Sequence, residues 1–253
     1  MLDVHPSHEA AHSWKDFFIH IATICIGLLI AIALEQSVEA IHQANERRTL
    51  VAEMRTEAER DLDTLHINID GDLDEAAWDS AVVTALHTAH PANGVVLVTL
   101  PAHEQFLPQI YPSRATWSIA KTNGKVALLP ENQAAIYDRL DNAAVNERAA
   151  QDRVNAASVD LKADEVDLGI SLQPGATIKF PAGDLPALTK DIAKKIAALN
   201  EDALWNAFWA GAENAVAHGV RDREDMVPYL RQERVALPGR RSHGFPLSRR
   251  RQP

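Results

Sequence analysis

The chain has 253 residues, a formal net charge of −10, 46% hydrophobic and 24% charged residues. That length allows one or two domains with a real core, and the composition excludes wholesale disorder. The negative balance disfavours a general nucleic-acid binder, because polyphosphate would be repelled, and the single cysteine, Cys25, excludes an intramolecular disulfide and a cysteine-ligated metal site.

Residues 1–15 read as a polar tail. His5, His8 and His12 are spaced H-x2-H-x3-H, which on one helix face could hold zinc, nickel or copper through imidazoles. Pro6 disturbs such a helix and no carboxylate or cysteine completes the set, so a polar tail is the simpler reading and no cofactor is expected.

From Phe17 to Leu34 the chain carries no formal charge. A helix of that length spans about 27 Å, close to the hydrocarbon thickness of a bilayer. Trp14 and Lys15 supply an interfacial anchor at one end and Glu35 closes the other, so residues 16–35 are predicted to be a transmembrane helix, with Trp14, Lys15, Phe17, Gly27 and Leu34 as anchor positions. A buried core helix would show a polar stripe, and none is present over this stretch. A signal peptide is the stronger rival, since Ala31-Ile32-Ala33 resembles a cleavage site, but the charged start is poor and the pattern continues without a helix breaker. Lys15 on one side and Glu35 and Glu39 on the other favour a cytoplasmic N-terminus and an external C-terminal domain in a bacterial inner membrane.

Residues 36–90 are expected to form an amphipathic stalk to about Leu65, a break at Asp70-Gly71, and a further helix from Asp74 to His87. Asn68, Asp70, Asp72 and Asp74 imitate the start of a calcium loop. The positions that need glycine and glutamate hold Glu75 and Ala81, and an acidic helix N-terminus is the preferred reading. Residues 91–130 form an irregular connection: Val95–Leu100 is a short strand or a helical turn, and a short helix capped by Ser113 ends at Asn123-Gly124.

Residues 131–219 carry the clearest periodicity. Ile136, Leu140, Glu147, Val154 and Leu161 mark a heptad seam, with Ala143, Ala150 and Ala157 allowing close approach and Glu147 and Asp164 interrupting it. This helix starts at Pro130-Glu131 and ends at Gly169. SLQPGATIKFPAGD is a loop or short β excursion, and a second long helix runs from about Leu185 to Ala217. Residues 220–253 end in a tail with five arginines and no acid from Pro238 onward, read as disordered.

Two stretches together resemble a group of uncharacterised bacterial single-pass membrane proteins. One is Gly27–Glu35, which fits the pattern G-[LI]-L-I-A-x-x-[LI]-[EQ]. The other is Trp117–Leu140, in which Gly124, Val126, Leu128 and Leu129 precede Ile136-Tyr137. The resemblance implies an uncleaved anchor and a helical soluble domain; it supplies no activity and no catalytic residues.

The expected fold is therefore mainly α: a transmembrane helix, a stalk, and a bundle of long antiparallel helices. No nucleophile elbow, phosphate loop, dinucleotide fingerprint or zinc-protease motif is present. A membrane-anchored, non-catalytic interaction or sensory-accessory protein is expected, engaging a protein partner or a second copy through the heptad face. The alternative is an enzyme or small-ligand receptor with a pocket near His87, His90, Trp117 and Tyr137. A third option places the arginine tail on lipid or nucleic acid.

Overall fold

The computed structural model describes residues 14–236 apart from residue 105, and the side chains of 14–104 and 106–233. The three N-terminal histidines and the arginine tail lie outside the described residues. Five helices and one small sheet make up the described chain: α1 (Trp14–Thr88), β1 (Val95–Thr99), α2 (Ala115–Thr122), α3 (Glu131–Leu168), β2 (Thr177–Pro181), α4 (Leu185–Ala217) and α5 (Arg223–Ala236). The protein is mainly α, with long packed helices as the periodicity predicts.

Residues 1–49 and 50–253 form two compact units. In the first, α1 contains one window long and apolar enough to cross a membrane, with a mean hydropathy of 2.6 and none of it buried. That removes the core-helix reading of this segment. Its few polar groups turn back on their own helix: Thr23 donates to the Ile19 carbonyl at 2.8 Å and Ser37 to that of Ala33 at 2.7 Å.

In the second unit, the remainder of α1 continues to Thr88 without the break expected at Asp70-Gly71. Gly71 sits in regular helix, with space beside it and ordinary contact at Leu107. The acids that suggested a helix start are therefore mid-helix, alternately buried (Asp72) and exposed (Asp70, Asp74). Periodicity on either side of the glycine outweighs its modest propensity cost.

Helix α4 runs antiparallel to α1 and α3. Arg153 pairs with Glu201 at 2.7 Å, while further along α3 Asp160 pairs with Lys194. The heptad seam sits inside this bundle: Ile136, Leu140, Glu147, Val154 and Leu161 are all buried. Ile136 and Leu140 join Met54, Leu65 and Trp209; Val154 joins Ala76 and Leu199; Leu161 joins Trp78, Leu86 and Ile192. The seam is thus occupied by the chain's own α1 and α4 and is not a free face for a partner.

The connection between α1 and α3 is the least periodic part of the sequence, and α1 holds it in place. The Trp78 indole donates to the Pro101 carbonyl at 3.0 Å, Asn68 both accepts from the Ile110 amide and donates to its carbonyl, and Asp61 accepts from the Ser113 amide at 3.1 Å. Glu57 accepts from the Thr116 amide at 3.0 Å, satisfying the start of α2 from another helix. Ser113, expected to cap α2, reaches the Ala115 amide only at 3.4 Å. Chain 101–116 thus follows α1 backwards, and the polar positions that spoil the hydrophobic stripe of α1 complete its backbone bonds. The two strands pair antiparallel, Val95 against Pro181 and Thr99 against Thr177, closing a cluster over Val96, Ile178 and Phe180.

Helix α5 was not anticipated. Pro228 inside it argues against a helix, yet Asp222 caps it by accepting from the Asp225 amide at 3.0 Å, and Met226 is buried. It packs so closely on α4 that a Cβ built on Gly211 would lie 2.8 Å from the Leu230 Cα. The same substitution should therefore have opposite signs in two helices. Gly211→Ala is expected to lower stability by about 2 kcal/mol through backbone displacement. Gly71→Ala should raise it by roughly 0.5 kcal/mol through helix propensity. Urea unfolding of both variants checks the pair; equal shifts would contradict the close α4–α5 approach.

Candidate functional site

The bundle interior of residues 50–233 carries three polar layers. At the strand end, Lys195 of α4 is buried and lies 2.6 Å from Glu75 and 3.0 Å from Asp79 of α1. Burial pushes the Asp79 carboxyl up to about 6, against the pull of Lys195.

The middle layer is an acid pair to which no cation among the described residues is hydrogen-bonded. Asp72 of α1 and Asp202 of α4 face each other, with Asn206 of α4 donating to Asp72 at 3.4 Å and Gln109 of the connection at 2.5 Å. Both carboxyls are pushed well above the carboxylate range, first by burial; the neighbouring charges of Asp202 and Glu75 then raise Asp72, and that of Glu147 raises Asp202. A proton held between them would resolve the repulsion, as in other close buried carboxyl pairs.

The third layer lies beside α2. Glu213 of α4 accepts from the Trp209 indole at 2.8 Å and faces Arg114 at 3.8 Å. Burial pushes its carboxyl up to about 8 despite both neighbours. Arg114 spends its other terminal nitrogen on Asp141 at 2.6 Å, and Asp141 also takes Lys121. Asp61 is pushed up to about 6, again first by burial. On α5, Glu233 meets the His66 imidazole at 3.1 Å, which raises the imidazole's pKa.

Above this third layer a cavity of about 570 Å³ opens between Tyr111–Arg114 and the Asp141–Arg148 turns of α3. Glu147, an expected seam residue, lines it, as does Trp209; Arg148 lies 5.9 Å over the Tyr111 ring at its rim.

The other expected positions disperse. Trp117 and Tyr137 are buried and in ring contact at 5.1 Å, whereas His87 and His90 are exposed beside Leu86 and Ala89, which belong to another cluster. The pocket expected among these four residues is therefore not assembled. Asn68 and Asp72 face inward while Asp70 and Asp74 face out, so the imitation calcium loop cannot converge, and no group of three or more metal-ligating side chains occurs among the described residues. The anchor positions Trp14, Phe17 and Leu34 are exposed on α1. Lys15 and Gly27 share that exposed stretch.

Sequence reasoning missed the acid layers. Their signal was present: Glu57, Asp61, Asn68, Asp72 and Asp79 recur at steps of four and seven, which is the spacing of the buried face.

What fold and site together define is a helical bundle with buried acidic layers, borne on a helix that begins with a membrane-length apolar segment. No protein-family model, curated protein or solved structure matches the chain.

Proposed function

We propose that the chain is a membrane-anchored, non-catalytic sensory-accessory protein whose bundle responds to protons. The observation that supports this reading is that one helix, α1, carries both the apolar segment and a buried acid of each layer, Asp79, Asp72 and Asp61. Acids held unpaired in a protein core serve conformational response better than stability, since apolar residues of equal size would stabilise more. The proposal includes an uncleaved anchor in a bacterial inner membrane, residues 1–15 on the cytoplasmic side and residues 50–253 outside.

Two measurements test it. The full chain should stay with membranes through alkaline carbonate extraction. A cysteine placed at the exposed Ser118, in a Cys25→Ser background, should react with an impermeant maleimide in cells whose outer layer is permeable and whose inner membrane is intact. Release into the carbonate supernatant would sink the anchor. Labelling only after lysis would reverse the orientation and bring the arginine tail to the anionic cytoplasmic leaflet.

A protein partner or a second copy also belongs to the proposal, but it must use a surface other than the buried seam. The outer face of α3 is available, with Val145, Val159 and Val166 more than two-thirds exposed at heptad-related spacing. Light scattering of the detergent-solubilised chain and of a Val159→Glu/Val166→Glu variant tests self-association there; equal masses would remove that face as the contact.

A further inference from the structure

The cavity beside Tyr111 is lined by two arginines whose hydrogen-bonding capacity the protein leaves partly unused. Arg114 donates through Nη2 alone, to Asp141 at 2.6 Å and to the Tyr137 carbonyl at 3.4 Å. Its Nε and Nη1 are enclosed without an acceptor. Glu213 stands 3.8 Å from Nη1, beyond hydrogen-bond range, and its carboxyl, raised by burial to about 8, is largely protonated at neutral pH. Arg148 is exposed at the rim, lies over the Tyr111 ring, and pairs with no carboxylate among the described residues. Asp141 is shared between Arg114 and Lys121. At neutral pH, then, Arg114, Lys121 and Arg148 stand against Asp141 and Glu147, which leaves one positive charge in excess around the cavity.

Excess positive charge, donors without acceptors and an apolar wall together fit an organic carboxylate. A guanidinium lying over a ring keeps its N–H edge free, and that edge matches the two oxygens of a carboxylate. Tyr111, Pro112, Ala144 and Val145 offer the apolar surface for the rest of the molecule. Glu147 is 2% exposed and its charge is opposed by Arg148 beside it, so it offsets one arginine only. A cation would add to the excess charge and leave the enclosed nitrogens of Arg114 without compensation. A neutral ligand would gain nothing from Arg148. The volume of about 570 Å³ suits a molecule the size of one substituted ring.

We propose that this cavity is a binding site for a small organic anion, a monocarboxylate with an aromatic or aliphatic body, whose carboxylate is held by the Arg148 guanidinium in the field of Arg114 and whose body lies against Tyr111 and Val145. The site goes beyond the proton response and does not depend on the anchor. Glu213 of α4 connects it to pH. Facing Glu213 are Trp209 on its own helix, Arg114 of the connection, and Asp61 and Glu57 of α1; Asp141 and Glu147 of α3 are the other acids at the cavity. While the Glu213 carboxyl is protonated, Arg114 keeps its charge for the ligand. As pH rises through about 8 that carboxyl ionises and offsets Arg114, so the anion binds best below pH 7 and more weakly toward pH 9.

Titration calorimetry of the full chain in a non-ionic detergent at pH 6.5, with benzoate, benzyl alcohol and benzylamine as probes, tests the proposal. Benzoate alone should bind, and at tenfold excess over its Kd should raise Tm by about 3 °C. Arg148→Gln, at an exposed position where folding is not at risk, should weaken benzoate by about fivefold or more, the size of a lost hydrogen bond to a charged group. In the wild type the benzoate affinity should fall by about threefold or more between pH 6.5 and pH 9.5, and Glu213→Gln, which keeps the shape and cannot ionise, should hold its pH 6.5 affinity across that range. No benzoate binding at 10 mM (roughly the weakest affinity that such a site could use), equal binding of benzyl alcohol or benzylamine, or undiminished binding by Arg148→Gln would each overturn it. If Glu213→Gln does not fold, the three-probe charge series with Arg148→Gln decides.

Discussion

Residues 50–253 should be more stable at pH 5 than at pH 8, the reverse of a protein held by salt-bridged carboxylates. The sign follows from proton counting. Asp61, Asp72, Asp202 and Glu213 all have carboxyls raised in the folded state, chiefly by burial. Between the unfolded value near 4 and the raised folded value, the folded protein holds protons that the unfolded chain has lost. Stability is then fully present below the unfolded value and is lost as pH rises through the folded one. His66, raised by Glu233, works in the same direction at higher pH. Glu213, moved from 4.5 to about 8, contributes on the order of 3 kcal/mol across this interval. A decrease in Tm of roughly 5–10 °C from pH 5 to pH 8 is the corresponding scale for a unit of this size.

The middle layer can be isolated from the rest. Asp72 is faced by Glu75 on its own helix and by Asp202 and Asn206 of α4; Asp202 is faced by Glu147 and Arg153 of α3 and by Glu201 beside it. Asp202→Asn removes one of the two like charges while keeping the shape. It should raise stability at pH 8 by about 1–2 kcal/mol, leave pH 5 almost unchanged, and flatten the slope between them. Scanning calorimetry at half-unit pH intervals measures all three. A wild-type Tm that climbs from pH 5 to pH 8, or an Asp202→Asn variant with the full wild-type slope, would show that the pair does not hold a shared proton.

Those acids also mark the limit of what the chain's pattern conveyed. The ends of α3 and α4 were legible because Pro130, Gly169, Pro186 and His218-Gly219 punctuate unbroken 3.6-residue spacing. The apolar segment was legible from length alone. The course of α1 through Gly71 was not, because a helix that must hydrogen-bond an irregular neighbour places Asn68 and Asp72 on its inner face and so looks interrupted. For the same reason the acids were read as a helix start or a failed ion loop. Their partners, the Ile110 and Ser113 backbone and Gln109, lie more than thirty residues away in a stretch with no periodicity. The heptad positions of α3 are buried, but a seam does not say whether the helices filling it come from the same chain. Helix α5 was hidden by Pro228 and by charge on its outer face. The cavity was hidden because Tyr111 and Trp209 come from distant segments.

Lys195→Met is expected to be the most damaging single substitution in the bundle, and its cost should depend on pH. Lys195 is the one cation shared by Glu75 and Asp79, and its stem passes through the contact between α1 and α4. Removing it leaves Asp79 buried beside Glu75 with no counter-charge. Breaking one side of such a pair costs about 3–5 kcal/mol, because the remaining charge cannot reach water. Asp79 can escape that cost by taking up a proton, and its carboxyl, already raised to about 6 by burial, would rise further once Lys195 is gone. The substitution should therefore cost the full amount at pH 8, where protonating Asp79 is expensive. At pH 5 it should cost about 1 kcal/mol, because the carboxyl is already neutral there. Adding Asp79→Leu to Lys195→Met should recover most of the loss at pH 8, since two well-packed apolar side chains replace a desolvated ion pair without an orphan. Urea titrations of the wild type, both single variants and the double variant at the two pH values give the full cycle. A Lys195→Met cost that is the same at pH 5 and pH 8 would mean that Asp79 reaches solvent, and that this layer is held by packing of the lysine stem rather than by its charge.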